Sequence, residues 1–140
     1  MSQKNNLVEA TLSNELLPNK IIFKKYKIIR KIGESSFYHI YLVMNEKTNE
    51  MYKMKAEKKE SQLKMIEQEG YFLYLVKGEG IPELITLGKI SNYYILIEEY
   101  LQKSIMDLFI ENNFKFSIKD LCLIIIQMSV AFQILIKIKN

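Results

Sequence analysis

Met51-Tyr52-Lys53-Met54-Lys55-Ala56-Glu57, with Glu69 in the segment that follows, is the stretch on which the fold turns. Its alternation is that of a β-strand: Tyr52, Met54 and Ala56 point one way, and Lys53 and Lys55 the other. From Glu60 to Val76 the spacing becomes helical. Met65, Glu69, Phe72 and Val76 fall on one stripe, with Leu63, Ile66 and Leu73 beside it. Gly70 inside that helix costs about 1 kcal/mol relative to Ala, so the helix depends on packing against the strands. A lysine–glutamate pair carries little information by itself. Its place carries it: the lysine is on an inner strand, and the glutamate on the helix that comes next.

Working outward, Phe23 to Ile32 and Tyr38 to Met44 alternate β-branched, aromatic and charged residues as strands do. Gly33-Glu34-Ser35-Ser36 makes a tight turn between them, and Asn45 to Asn49 turns the chain into Glu50–Glu57, giving three consecutive antiparallel strands. Gly78-Glu79-Gly80-Ile81-Pro82 stops the helix, and Leu84–Ile90 and Tyr93–Tyr100 meet at Ser91-Asn92, a hairpin signal. The expectation is an α+β fold: a five-stranded antiparallel sheet with one packed helix, followed by two further helices.

Three segments result. Residues 1–20, with Asn5, Asn6, Ser13, Asn14, Pro18 and Asn19, read as a flexible arm holding a short helical turn at Val8–Leu17. Residues 21–101 hold the sheet and its helix, and residues 102–140 the remaining helices. Ser104 to Ile110 is short. Ser117 opens a longer helix, with Asp120 in a capping-box position. Leu121–Ile138 is strongly apolar, but Ser129, Gln133 and Lys137 draw one polar stripe along it, as in a core helix of a larger fold rather than a membrane span.

Composition narrows the function classes. With 140 residues, 49% hydrophobic and 26% charged, the chain is one folded domain's worth. The net charge of +4 comes from scattered lysines such as Lys24, Lys25, Lys27 and Lys31, which supports no nucleic-acid site. Cys122 and His39 have no partners spaced for a disulfide, a metal or a catalytic triad. Met1 to Asn6 is polar, without a signal sequence's apolar run, and residue 2 is Ser, which excludes a myristoylation signal. An intracellular, cytoplasmic protein is expected.

Gly33-x-Ser35-x-x-Tyr38-x-Ile40 reads either as a plain β-turn or as a phosphate-covering loop that has lost glycines. The second reading gains from its neighbours. Lys31-Ile32-Gly33-Glu34-Ser35-Ser36-Phe37-Tyr38-His39-Ile40-Tyr41-Leu42, Lys55-Ala56-Glu57, Gly80-Ile81-Pro82, Asp107-Leu108-Phe109, Phe116-Ser117 and Gln127-Met128 occur in an order and spacing that resembles the protein kinase family, most closely its casein kinase I branch. The resemblance runs from about Tyr26 to the last residue.

By position, it places Gly33, Ser35 and Tyr38 where the ATP-covering loop has its three glycines, beside Ile32, and Ile40 where a branched residue packs on the base. It makes Lys55 the phosphate-pairing lysine and Glu69 its helix partner, with Glu67 the alternative one register away. Glu98 falls at the gatekeeper, so the backbone of Glu99 and Leu101 would face the adenine edge.

The departures point away from activity. Tyr38 puts a ring where backbone should approach phosphate, and Lys53 replaces the small apolar residue that lies against adenine. Lys53 and Lys55 share a face, so a Lys53–Glu98 or Lys55–Glu98 pair is the tolerable arrangement. Neither His-Arg-Asp nor Asp-Phe-Gly, the sources of the catalytic Asp and the magnesium ligands, occurs in the sequence. The resemblance therefore implies a truncated casein kinase I-like serine/threonine kinase, inactive as given, with weak ATP binding and no magnesium site. The alternative is a non-catalytic module that meets a protein or a membrane surface through its apolar terminal helix.

Overall fold

The computed structural model describes residues 16–138. Six strands and three helices follow one another: β1 (Ile21–Ile22), β2 (Tyr26–Glu34), β3 (Tyr38–Asn45), β4 (Met51–Lys58), α1 (Met65–Leu75), β5 (Leu84–Ile90), β6 (Tyr93–Glu99), α2 (Ile105–Glu111) and α3 (Ile118–Ile138). The strands form one antiparallel sheet in the order β1-β2-β3-β4-β6-β5. The sheet thus has six strands rather than the expected five. Phe23 and Lys24 take left-handed backbone angles (φ 51° and 55°), which break the strand expected from Phe23 and fold Ile21–Ile22 back onto Tyr26–Lys27. Most of the expected turn at Val8–Leu17 lies outside the described residues; Leu16 is buried in the core.

The period of two along the strands divides the sheet into a concave and a helix-covered face. The concave face carries Tyr26, Ile28, Tyr41, Val43, Met54, Ala56, Ile95 and Ile97. The sheet curls over this layer until the β1–β2 turn reaches β5, where a Cβ on Gly88 would lie only 2.7 Å from the Phe23 ring. On the other face α1 presses Ile66 and Leu73 onto Leu96, with Tyr38, Ile81, Leu84 and Tyr94 around them.

Two bulges in β2, between Ile28 and Arg30 and between Lys31 and Gly33, interrupt its pairing with β3. Each extra residue resets the alternation. Arg30 and Ile32 consequently leave the concave side, to which Tyr26 and Ile28 belong, and join Ile40 and Lys53 at the mouth of a cleft.

α1 begins at Met65 rather than near Glu60, because Lys64 sits in the left-handed region (φ 47°) and its side chain makes no cap. α2 starts on a reciprocal cap: Ser104 Oγ accepts from Asp107 N–H at 3.1 Å, and Asp107 Oδ2 accepts from Ser104 N–H at 2.8 Å. Ser117 and Asp120 repeat the arrangement at α3, at 3.1 and 3.0 Å, as their spacing predicted. α3 meets the sheet-bearing part through the loop after α1: a Cβ on Gly78 (φ 155°) would fall 2.6 Å from Ile134 Cδ1, and one on Gly80 (φ 81°) 3.5 Å from Ala131 Cβ. Much of the apolar surface of α3 faces outward, Ile118, Ile125, Ile126 and Ile136 being 59–82% exposed. Among the described residues no helix is long and apolar enough to cross a membrane.

Gly70 makes the balance of propensity and packing testable. A Cβ there would meet Leu87 Cδ1 and Cδ2 at 2.7 and 2.8 Å, but Leu87 is 41% exposed and free to swing outward. Gly70→Ala is therefore expected to stabilise the chain, by up to about 1 kcal/mol in urea unfolding, as the helix gains in propensity. A loss of stability would mean that Leu87 is held in place.

Candidate functional site

Lys53 and Lys55 leave β4 on the face covered by α1, and β6 places Glu98 directly opposite Lys53. All three residues are drawn together. Glu98 Oε1 lies 2.7 Å from Lys53 Nζ and 3.1 Å from Lys55 Nζ. From above, α1 brings Glu69 Oε1 to 2.5 Å from Lys55 Nζ. Lys55 pairs with Glu69, and Glu67 turns instead to Lys89 at 3.2 Å, which decides between the two glutamates left open by the sequence. Glu98 is 1% exposed and Lys55 8%, so these charges are compensated by one another rather than by water.

Burial on its own pushes the Lys55 ammonium down. The Glu69 hydrogen bond and the charges of Glu98 and Glu69 act the other way and prevail, holding Lys55 above the usual lysine range. The Tyr38 ring closes the remaining side, its centroid 5.7 Å from Lys55 Nζ.

Outside this cluster lies the cleft, about 560 Å³, lined by Arg30, Ile32, Ile40, Lys53, Tyr100 and Leu101 on one side and by Lys103, Asp107 and Glu111 toward α2. The candidate residues thus divide. Ile32, Ile40 and Leu101 come together in the cleft. Lys55 and Glu69 meet outside its lining, linked to Lys53 in the cleft wall through Glu98. Glu99 ends β6 at the margin of the sheet, its N–H donated at 2.9 Å to O of Glu83, the residue before β5. Gly33 pairs with Ile40 across β2 and β3, and Ser35 stands in the turn beyond.

That turn supplies its own acceptor. Ser35 Oγ accepts from the N–H groups of Phe37 and Tyr38, both at 3.2 Å, and Ser35 N–H donates to Tyr38 O at 2.9 Å. Backbone donors that a glycine-rich turn would leave open for an anion are here committed to the turn itself.

Sequence reasoning singled out no role for Glu57, which is fully buried on the same face of β4 as Lys55. A charged residue at an inward position of a central strand was the available signal. Arg30 and Lys103 in the cleft were also missed, Arg30 because the β2 bulge that aims it leaves no mark in the local pattern.

Two outcomes test this electrostatic arrangement. Glu98→Met leaves two ammoniums facing one carboxylate and is expected to cost about 3–5 kcal/mol in urea unfolding, whereas Lys53→Met/Glu98→Met removes a matched pair and should recover most of that loss. The pH dependence has the opposite sign from that of a carboxylate. The folded-state value of Lys55 lies above that of the unfolded chain, so its stabilisation is complete below about pH 10.4 and declines as pH rises through the folded value. The stability difference between wild type and Lys55→Met should accordingly be constant near neutrality and narrow in strong alkali; a difference that widens there contradicts the assignment.

No family model matches the sequence. Among solved structures, the crystal structure of the PF14_0431 kinase domain superposes with a TM-score of 0.78 at 20% identity, over 88% of this chain and 38% of that one. At that identity the likeness concerns the fold, and the chain spans well under half of the length of the kinase domain it matches. The curled antiparallel sheet with its packed helix and the helices that follow make a kinase-like fold.

Proposed function

We propose that the chain is the sheet-bearing lobe and first following helices of a casein kinase I-like serine/threonine protein kinase, a weak ATP-binding module without phosphoryl transfer of its own. The observation that carries the reading is the Lys55–Glu69 pair at 2.5 Å beside a cleft walled by Ile32, Ile40 and Leu101. In kinases such a lysine steadies the nucleotide phosphates and the helix glutamate holds the lysine. The casein kinase I assignment rests on the motif order from Lys31-Ile32-Gly33 to Gln127-Met128.

Three features argue for weak affinity. Ser35 has taken the turn's donors, Tyr38 lies over Lys55, and Lys53 brings an ammonium paired with Glu98 into the apolar part of the cleft. The two carboxylates lining the cleft are engaged: Asp107 caps α2, and Glu111 holds Lys103 at 2.7 Å. That donor set offers no good home for magnesium. Phosphoryl transfer further requires an Asp that orients the substrate hydroxyl, for which the sequence has no His-Arg-Asp.

Thermal-shift titration tests the nucleotide part. ATP near its dissociation constant, in the millimolar range, is expected to raise the melting temperature by about 1–3 °C, equally with and without magnesium. No shift at millimolar ATP ends the nucleotide reading; a shift that needs magnesium contradicts the proposed site.

The outward apolar surface of α3 favours a second reading, a non-catalytic interaction module. Cell fractionation separates the two: residence in the membrane pellet after salt and carbonate washing supports the second and is not expected of the first.

A further inference from the structure

Glu57 is 0% exposed, and among the described residues no ion pair to it is found. Its Oε2 accepts the Ile66 N–H at 2.9 Å, while its Oε1 has no hydrogen-bond partner among the described residues. A carboxylate buried without a counter-charge is costly to the fold, so the contact with Ile66 is its one visible return. Ile66 is the second residue of α1, where backbone N–H groups have no partner within the helix, and Lys64 leaves that end without a cap. Glu57 supplies the cap from the sheet, its Oε2 accepting at the first turn of the helix.

The spacing gives this cap a consequence. Glu57 and Lys55 are two residues apart on one face of β4, about 6.6 Å along the strand. Ile66 and Glu69 are three apart on one face of α1, about 4.5 Å along its axis. Strand and helix run in opposite senses here, so Glu57 meets Ile66 where Lys55 meets Glu69. Apolar packing seats Ile66 and Leu73 on Leu96, and the two polar contacts add directional constraints on the rotation of α1 and its height over the sheet. Glu67 lies on another side of the helix and reaches Lys89.

We propose that Glu57 is a positioning residue: by capping Ile66 from the sheet it sets the rotation of α1 that delivers Glu69, and not Glu67, to Lys55. The arrangement belongs to the chain's own packing and stands apart from whether the cleft takes a nucleotide.

The test reads two atoms by NMR, the Ile66 amide by hydrogen exchange and Lys55 Nζ by titration. Glu57→Leu removes the acceptor. It is expected to speed Ile66 exchange about tenfold or more and to bring the Lys55 midpoint down toward the ordinary value near 10.4. Glu57→Gln keeps a carbonyl oxygen for Ile66 and should retain both properties. If Glu57 only fills space, Glu57→Leu lowers the melting temperature and leaves the Lys55 midpoint where it was, which overturns the proposal. Should Glu57→Leu fail to fold, the unbranched Glu57→Met, close to Glu in volume but without the oxygen acceptor, decides: rapid Ile66 exchange with a lowered Lys55 midpoint supports the proposal, and an unmoved Lys55 midpoint overturns it.

Discussion

The Lys55 ammonium, held between Glu69 of the helix and Glu98 of the neighbouring strand, is the constraint around which the rest is arranged. A lysine on an inner strand under a helix has no water to turn to, and Lys53 adds a second positive charge on the same face. Glu98 answers both. Because its carboxylate is buried, the register that places Lys53 opposite Glu98 is fixed by charge as well as by backbone pairing. A one-residue slip would turn both lysines into the apolar concave layer. Buried ion pairs add little net stability, but here they restrict how β4, β6 and α1 can meet.

The same charges limit what the cleft can do. In a kinase nucleotide site the helix glutamate holds the lysine, while the turn donors and the apolar wall stand open to the ligand. In this chain, carboxylates already hold the lysine, a serine hydroxyl holds the turn, and an ammonium stands in the wall. The polar groups in and around the cleft are thus largely engaged with one another. Lys55 is held by contacts from two separate elements, Glu69 of α1 and Glu98 of β6.

The sequence disclosed the parts governed by period and by local chemistry. Alternation separated Lys53 and Lys55 from Tyr52, Met54 and Ala56, and the structure divides them between the two faces in that way. The Ser104–Asp107 and Ser117–Asp120 caps lie between near neighbours, and the Ser117 pair was read directly. What escaped depends on left-handed residues, bulges and distant partners. Phe23 and Lys24 carry no glycine to announce a turn, so the strand was expected from Phe23 and Ile21–Ile22 was not recognised as a strand of its own. The β2 bulges re-aim Arg30 without altering the local pattern. Glu57 was visible as a letter, but its partner is a backbone N–H that only the docked helix provides.

The curl of the sheet bears on the order in which the chain can be made. Ile28, Val43 and Met54 of the concave layer belong to β2, β3 and β4, whereas Ile95 and Ile97, which complete that layer, arrive with β6. The contact between Phe23 and Gly88 also joins the beginning of the sheet to one of its last strands. As the chain leaves the ribosome, β2 to β4 present a half-built apolar surface until residues 84–99 have emerged. Nascent chains stalled between Lys58 and Leu84 are consequently the ones with most need of a chaperone.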